Sequence, residues 1–174
     1  MPLYEDRSMV VDRFLAGFNA AATRVPVADV SRCASIGFCF GGMVVLDVAR
    51  SAKLYDDLQL AISFHGILDA PKLYDPEKCP AERSQVTRPK VMIYHGKADP
   101  FIPQEKYDAF ITQMNGLGIN YTLREFDGVG HAFTRPEKIT PSDIRGGFGY
   151  DKRVAEETWE ETKSLLKKYL LNAQ

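Results

Sequence analysis

Apolar residues along this chain fall into two rhythms. Near the start, Val10, Val11, Phe14, Leu15 and Phe18 recur every three or four positions. That is the spacing of one helix face, and the pattern stops before Pro26, so an amphipathic helix is predicted over 6–22. SRCASIGF (31–38), QLAISFHG (59–66) and KVMIYHG (90–96) are instead short, nearly unbroken apolar runs, as expected of strands covered on both faces in a parallel sheet. GGMVVLDVARS (41–51) reads as a helix with a glycine-rich first turn. PQEKYDAFITQMNGLG (103–118) places Tyr107, Phe110, Ile111, Met114 and Leu117 on one face and ends at Gly118 as a C-cap. YTLREFDG (121–128) alternates as a last strand. Residues 134–150, rich in Pro, Gly and charge, form a loop of the length that is usually functional or mobile. A closing helix over 151–171 is expected to bury Val154, Trp159, Leu165, Leu166, Tyr169 and Leu170.

Strands alternating with helices predict an α/β fold with a mostly parallel sheet, and right-handed crossovers put helices on both faces to make three layers. No internal repeat interrupts the reading, so residues 1–174 are taken as a single domain, with 45% hydrophobic content to supply its core. The net charge is -1 and the pI near 6.3, with basic residues scattered. Neither nucleic acid nor an anionic membrane surface is expected as a partner. No apolar run approaches the ~18 residues of a membrane span, and MPLYEDRSMVVDRF carries acidic residues without an uninterrupted apolar core, so a cytoplasmic location is expected. Cys33, Cys39 and Cys79 form an odd set without zinc-ligand spacing, which points to reduced thiols.

One of these thiols stands in a chemical motif. Gly37-Phe38-Cys39-Phe40-Gly41-Gly42 is a G-x-S-x-G nucleophile elbow with Cys in the Ser position, between a predicted strand and a predicted helix. The turn is expected to need glycine at Gly37 and Gly41, where a Cβ would clash. It lifts the Cys39 side chain above the sheet, over a helix N-terminus that suits a negatively charged nucleophile, with the Phe40 N–H placed to receive an oxyanion. Asp99 follows the 90–96 strand and His131 follows the last strand, giving the order nucleophile, acid, histidine at strand carboxyl ends. Asp127, nearer to His131 in sequence, is a rival acid that could instead cap its turn. His65 and His95 could line the pocket or anchor loops. Cys33, expected to point into the sheet core, and Cys79 are read as structural or incidental. The chain contains no HExxH, Walker loop or GxGxxG opening a helix, so neither metal nor cofactor is expected.

IGFCFGG (36–42), SFHG (63–66), YHGKADPFIP (94–103) and GHAFTRP (130–136) together resemble the dienelactone hydrolase family, whose members are esterase-like but carry Cys in the elbow. The resemblance covers most of the chain from about residue 30. It implies an α/β-hydrolase fold and hydrolysis of small esters or lactones, some bearing a carboxylate, with Cys39, Asp99 and His131 in the triad positions. The family's histidine is followed four residues later by a carboxylate-binding arginine, and Arg135 stands at that spacing, although a solvated loop arginine reads equally well. In the family several strands precede the elbow strand and supply a second oxyanion donor, a glutamate and another arginine. Here about 30 residues precede it, enough for one helix. The expectation is an N-terminally truncated domain whose elbow strand is an exposed edge inviting self-association. Two other readings are an amidotransferase-like or peptidase-like cysteine hydrolase and a non-catalytic pseudoenzyme or interaction module pairing through that edge.

Overall fold

The computed structural model describes residues 6–51, 53–54, 57–74 and 89–171. Cys79 lies outside the described residues. Helix α1 (Arg7–Arg24) starts at Asp6, whose side chain accepts the Met9 N–H at 2.9 Å. Such a cap satisfies one of the donors that the first turn leaves without an intrahelical partner. Then follow β1 (Cys33–Phe38), α2 (Phe40–Ser51), β2 (Leu58–Phe64), a 3-10 turn (Lys72–Tyr74), β3 (Lys90–Gly96), α3 (Gln104–Gly116) and β4 (Tyr121–Phe126). The last elements are α4 (Pro141–Arg145), α5 (Lys152–Leu166) and a π-helical turn, Lys167–Leu171. The strands pair in the order β1-β2-β3-β4, every pair parallel. All four carboxyl ends therefore open onto the same edge, and β1 lies at the side of the described sheet.

The sheet is covered on both faces, as the unbroken apolar strands predicted. On one face Ala61, Val91 and Ile93 pack with Leu46, Val48 and Ala49 of α2 and Phe110 and Met114 of α3, and Phe14, Leu15 and Phe18 of α1 close over them. On the other face Leu60, Ile62, Phe64, Met92 and Tyr94 meet Val154, Leu165 and Leu166 of α5. The α3 terminus has the geometry anticipated at Gly118. Its φ is +61, the Gly118 N–H reaches the Asn115 carbonyl, and the Ile119 N–H reaches the Met114 carbonyl, the paired bonds of a Schellman turn.

Polar groups are also enclosed among α1, α2, α3 and the loop after β2. Arg7 Nε donates to Asp47 Oδ2 at 2.6 Å and its Nη1 to Asp69 Oδ2 at 2.7 Å. Arg50, 1% exposed, donates to Asp47 Oδ1 at 2.7 Å, to Gln113 Oε1 at 2.9 Å and to the Asp69 carbonyl at 2.7 Å. Charges this deep are tolerated only when paired and hydrogen-bonded.

Three local expectations are corrected. Trp159 is 46% exposed rather than buried. The inward stripe of α5 runs through Val154, Thr158 and Thr162, and one residue's rotation carries Trp159 off that stripe to the flank of Phe64. Cys33 is half-buried at the start of β1, the edge strand of the described sheet, with Sγ at 3.2 Å from the Val30 carbonyl. Residues 134–150 are not wholly irregular. Thr140 and Asp143 form a reciprocal capping box, Pro141 begins α4, and the segment folds back onto His131.

Candidate active site

The loops that leave the four strands carry the candidate groups. Cys39 follows β1 directly and occupies the position before α2. Its N–H reaches the Phe64 carbonyl at 3.0 Å and its own carbonyl accepts the Met43 N–H at 3.2 Å. To make that turn its φ is 54, a left-handed value that costs a non-glycine residue ~1–3 kcal/mol. His65 after β2 (φ 38) and Ala132 beside His131 (φ 59) are the other non-glycine residues of this kind among the described residues. Backbone strain is thus gathered in one place.

Glycine is required in the elbow, but at only one of the two positions the motif suggests. A Cβ on Gly37 would lie 2.0 Å from the Gly41 carbonyl oxygen. A Cβ on Gly41 would meet nothing within 4 Å, which overturns the expectation of a clash there. The second constrained position is Gly42, where a Cβ would stand 2.7 Å from Gly66 Cα. The start of α2 presses against the loop after β2, and that contact fixes the height of Cys39 over the sheet.

Asp99 sits in the loop after β3, where Oδ1 accepts the Phe101 N–H at 2.9 Å and Oδ2 lies 2.7 Å from His131 Nδ1. An ionised carboxylate offers acceptors only, so the imidazole donates Nδ1–H and turns an acceptor Nε2 outward. Nε2 is 3.1 Å from Cys39 Sγ, across 92 residues of sequence. Asp99 and His131 are both buried. The rival Asp127 is 89% exposed and paired with Lys97 Nζ at 2.6 Å, so the shorter sequence separation misleads. As first residue of α2, Phe40 has an N–H without an intrahelical acceptor, beside Cys39.

His131 is held from every side. Its N–H reaches the Gly147 carbonyl and its carbonyl accepts the Gly149 N–H, each at 2.9 Å. Phe101, Phe148 and His65 meet its ring edge-on with centroids 5.1, 5.6 and 5.1 Å away. His65 Nε2 is 2.8 Å from Thr134 Oγ1, and burial foremost pushes its pKa down to about 3. His95 stacks on Tyr107, with a pKa lowered chiefly by burial. His65, bonded to Thr134, fits the loop-anchor reading, whereas His95 packs on Tyr107 and its buried Nδ1 has no hydrogen-bond partner among the described residues.

A cavity of about 330 Å3 opens over the thiol, lined by Cys39, Ile67, Phe101, His131 and Phe148. Sequence reasoning missed Ile67, Phe101 and Phe148. The signal within reach was their place in strand-end loops, Phe148 in the long 134–150 segment. Arg135 is absent from the lining. It is half-exposed, with Nε and Nη2 on Glu137 Oε1 at 2.7 and 2.6 Å. Among the described residues no group of three His, Cys, Asp or Glu is arranged to hold a metal, and no helix is long and apolar enough to cross a membrane.

A thiol on a strand-to-helix elbow, facing an imidazole and a buried carboxylate at the carboxyl edge of a parallel sheet, is the architecture of an α/β-hydrolase. The chain belongs to the dienelactone hydrolase family, whose pattern it matches over residues 2–170. An uncharacterized Caenorhabditis elegans protein is 32% identical over 157 residues, 89% of this chain and 90% of that one. Among solved structures, a dienelactone hydrolase-like promiscuous phosphotriesterase from metagenomic libraries superposes with a TM-score of 0.77 at 26% identity, over 97% of this chain and 64% of its own. The m3DLH structure gives 0.72 at 25% identity, over 97% and 65%. The chain thus spans a little under two thirds of either solved relative.

Proposed function

We propose that this chain hydrolyses carboxylic esters or lactones through Cys39, His131 and Asp99. The observation that carries the reading is the unbroken line Asp99 Oδ2, His131 Nδ1, His131 Nε2, Cys39 Sγ, with steps of 2.7 and 3.1 Å, ending at the floor of a cavity. In the first half-reaction Cys39 Sγ attacks the carbonyl carbon while its proton passes to His131 Nε2, and Asp99 steadies the imidazolium. The Phe40 N–H, with the N-terminal end of α2, stabilises the oxyanion. Collapse breaks the C–O bond, the leaving alkoxide takes the proton from Nε2, and a thioester remains. A water deprotonated by His131 then adds to the thioester, and expulsion of the thiolate, which recovers its proton, releases the acid.

The test is turnover of a panel of lactones and 4-nitrophenyl esters. Cys39→Ala should abolish it, whereas Cys33→Ala should leave it nearly intact. Equal losses from the two would refute the assignment.

A second reading concerns association. The outer edge of β1 has no strand neighbour among the described residues, and Phe38, the last residue of β1, is 44% exposed. Such an edge favours self-association. Sedimentation velocity across a concentration series should show reversible dimers or larger species, and a concentration-independent monomer would refute this.

A further inference from the structure

The lining of the cavity limits what the thiol can be offered. Of the five described residues that line it, three, Ile67, Phe101 and Phe148, are apolar and come from three different loops. The other two, Cys39 and His131, have their facing polar atoms on one another at 3.1 Å. Among the described residues no lysine or arginine is in the lining. The fixed charge directly behind His131 is negative, since Asp99 lies buried 2.7 Å from Nδ1. His65, against the other side of the His131 ring, is kept neutral by burial. Arg135, at the position where the resemblance implies a carboxylate clamp, is turned to Glu137 outside the lining.

A carboxylate carried into this cavity would give up water against apolar side chains, with no lysine or arginine of the described residues in the lining and with Arg135, whose charge reaches His65, paired to Glu137, which disfavours it. An alkyl or aryl group would instead cover Phe101, Phe148 and Ile67, and the gain grows with the area covered. At about 330 Å3 the cavity is at the small end of the ~300–1,000 Å3 usual for ligand sites, room for a short chain or one ring. Resting on Cys39 as the nucleophile, the geometry points to small uncharged esters or lactones with an apolar acyl group as the substrate class, selected by Phe101, Phe148 and Ile67. Carboxylate-bearing lactones are disfavoured at this site.

Two probe pairs test it, each matched in shape and differing in charge. Iodoacetamide and iodoacetate both alkylate thiols, and their rate ratio on Cys39, followed by peptide mass mapping, is divided by the same ratio on glutathione. The amide should be favoured by about tenfold or more beyond glutathione. In turnover, 4-nitrophenyl butyrate should exceed 4-nitrophenyl hemisuccinate in kcat/KM by a similar factor. Arg135→Gln should leave both ratios within about twofold. Iodoacetate reacting with Cys39 as readily as the glutathione reference predicts, hemisuccinate turned over as well as butyrate, or a tenfold loss confined to the anionic probes in Arg135→Gln would overturn the inference. Absence of turnover on both esters with the alkylation preference intact would refute the hydrolytic reading while upholding the uncharged, apolar character of the site.

Discussion

Alanine scanning of the three elbow glycines separates the positions where the backbone leaves no room from the one where it does. At Gly37 an added Cβ would stand 2.0 Å from the Gly41 oxygen and 2.3 Å from its carbonyl carbon. That obstacle is the first turn of α2 and cannot yield without lifting the helix from β1. At Gly42 it would meet Gly66 Cα and Ser63 Oγ, each at 2.7 Å. The hydroxyl can rotate away but the Gly66 backbone cannot. At Gly41 nothing lies within 4 Å. Overpacking a tight contact costs ~1–3 kcal/mol, and alanine exceeds glycine in helix preference by up to ~0.8–1.0 kcal/mol, less in a first turn. Gly41→Ala should therefore be neutral to about 0.5 kcal/mol stabilising, and Gly42→Ala a net loss of about 1–2 kcal/mol. Gly37→Ala should reach or pass about 3 kcal/mol. For a chain of this size 1 kcal/mol moves Tm by roughly 2–4 °C. Melting followed by circular dichroism should rank Gly41→Ala at or above the parent, Gly42→Ala about 2–8 °C lower, and Gly37→Ala lowest or unfolded. Iodoacetamide labelling of Cys39 should change only in the last two. A Gly41→Ala protein melting as low as Gly42→Ala would refute the claim that the approach of α2 to the Gly66 loop, rather than the motif glycine, sets the elbow.

Asp99→Asn keeps the shape of the buried side chain but removes the acceptor that orients His131, so kcat on a neutral aryl ester should fall by ~10²–10⁴ with the fold intact. A loss under fivefold would remove Asp99 from the mechanism. Asp47→Ala removes the buried carboxylate shared by Arg7 and Arg50 and leaves Asp69 alone opposite both guanidinium groups, and urea denaturation should show a loss of about 3–5 kcal/mol, the cost of breaking a buried pair. A change below 1 kcal/mol would mean that water or Asp69 takes its place. The folded chain holds His65 neutral down to about pH 3, while the unfolded chain binds that proton from ~6.5 downward. Stability present above ~6.5 is thus lost as pH falls toward 3, at up to ~1.4 kcal/mol per pH unit. His65→Asn, able to keep the positive φ, should flatten that limb in urea titrations, and an unchanged slope would assign it to other groups.

Much of this fold could be read along the chain because the central strands β2 and β3 are covered on both faces and so are written as short apolar runs, the edge strand β4 alternates, and α1 and α3 show one apolar face each. Cys39, Asp99 and His131 were legible for a related reason. In a parallel sheet the loop after every strand opens on the same edge, so chemistry-bearing residues at strand ends converge whatever their separation. What periodicity and order do not encode is the direction in which a loop turns. Asp127 is closer to His131 along the chain than Asp99 is, yet the turn after β4 points it at Lys97 in solvent, while the Phe101 N–H holds Asp99 inward. The same holds for Trp159, Arg135 and Phe148. Trp159 is turned outward by one residue's rotation of α5, and Arg135 is drawn to Glu137. Phe148 reaches the cavity because the 134–150 segment bonds back to both sides of the His131 peptide. The Arg135 pairing is local, two residues along the chain, but Asp127 on Lys97, Trp159 beside Phe64 and Phe148 over the thiol are contacts between segments remote in sequence. Local pattern carries no signal for such contacts, and only the packed chain determines them.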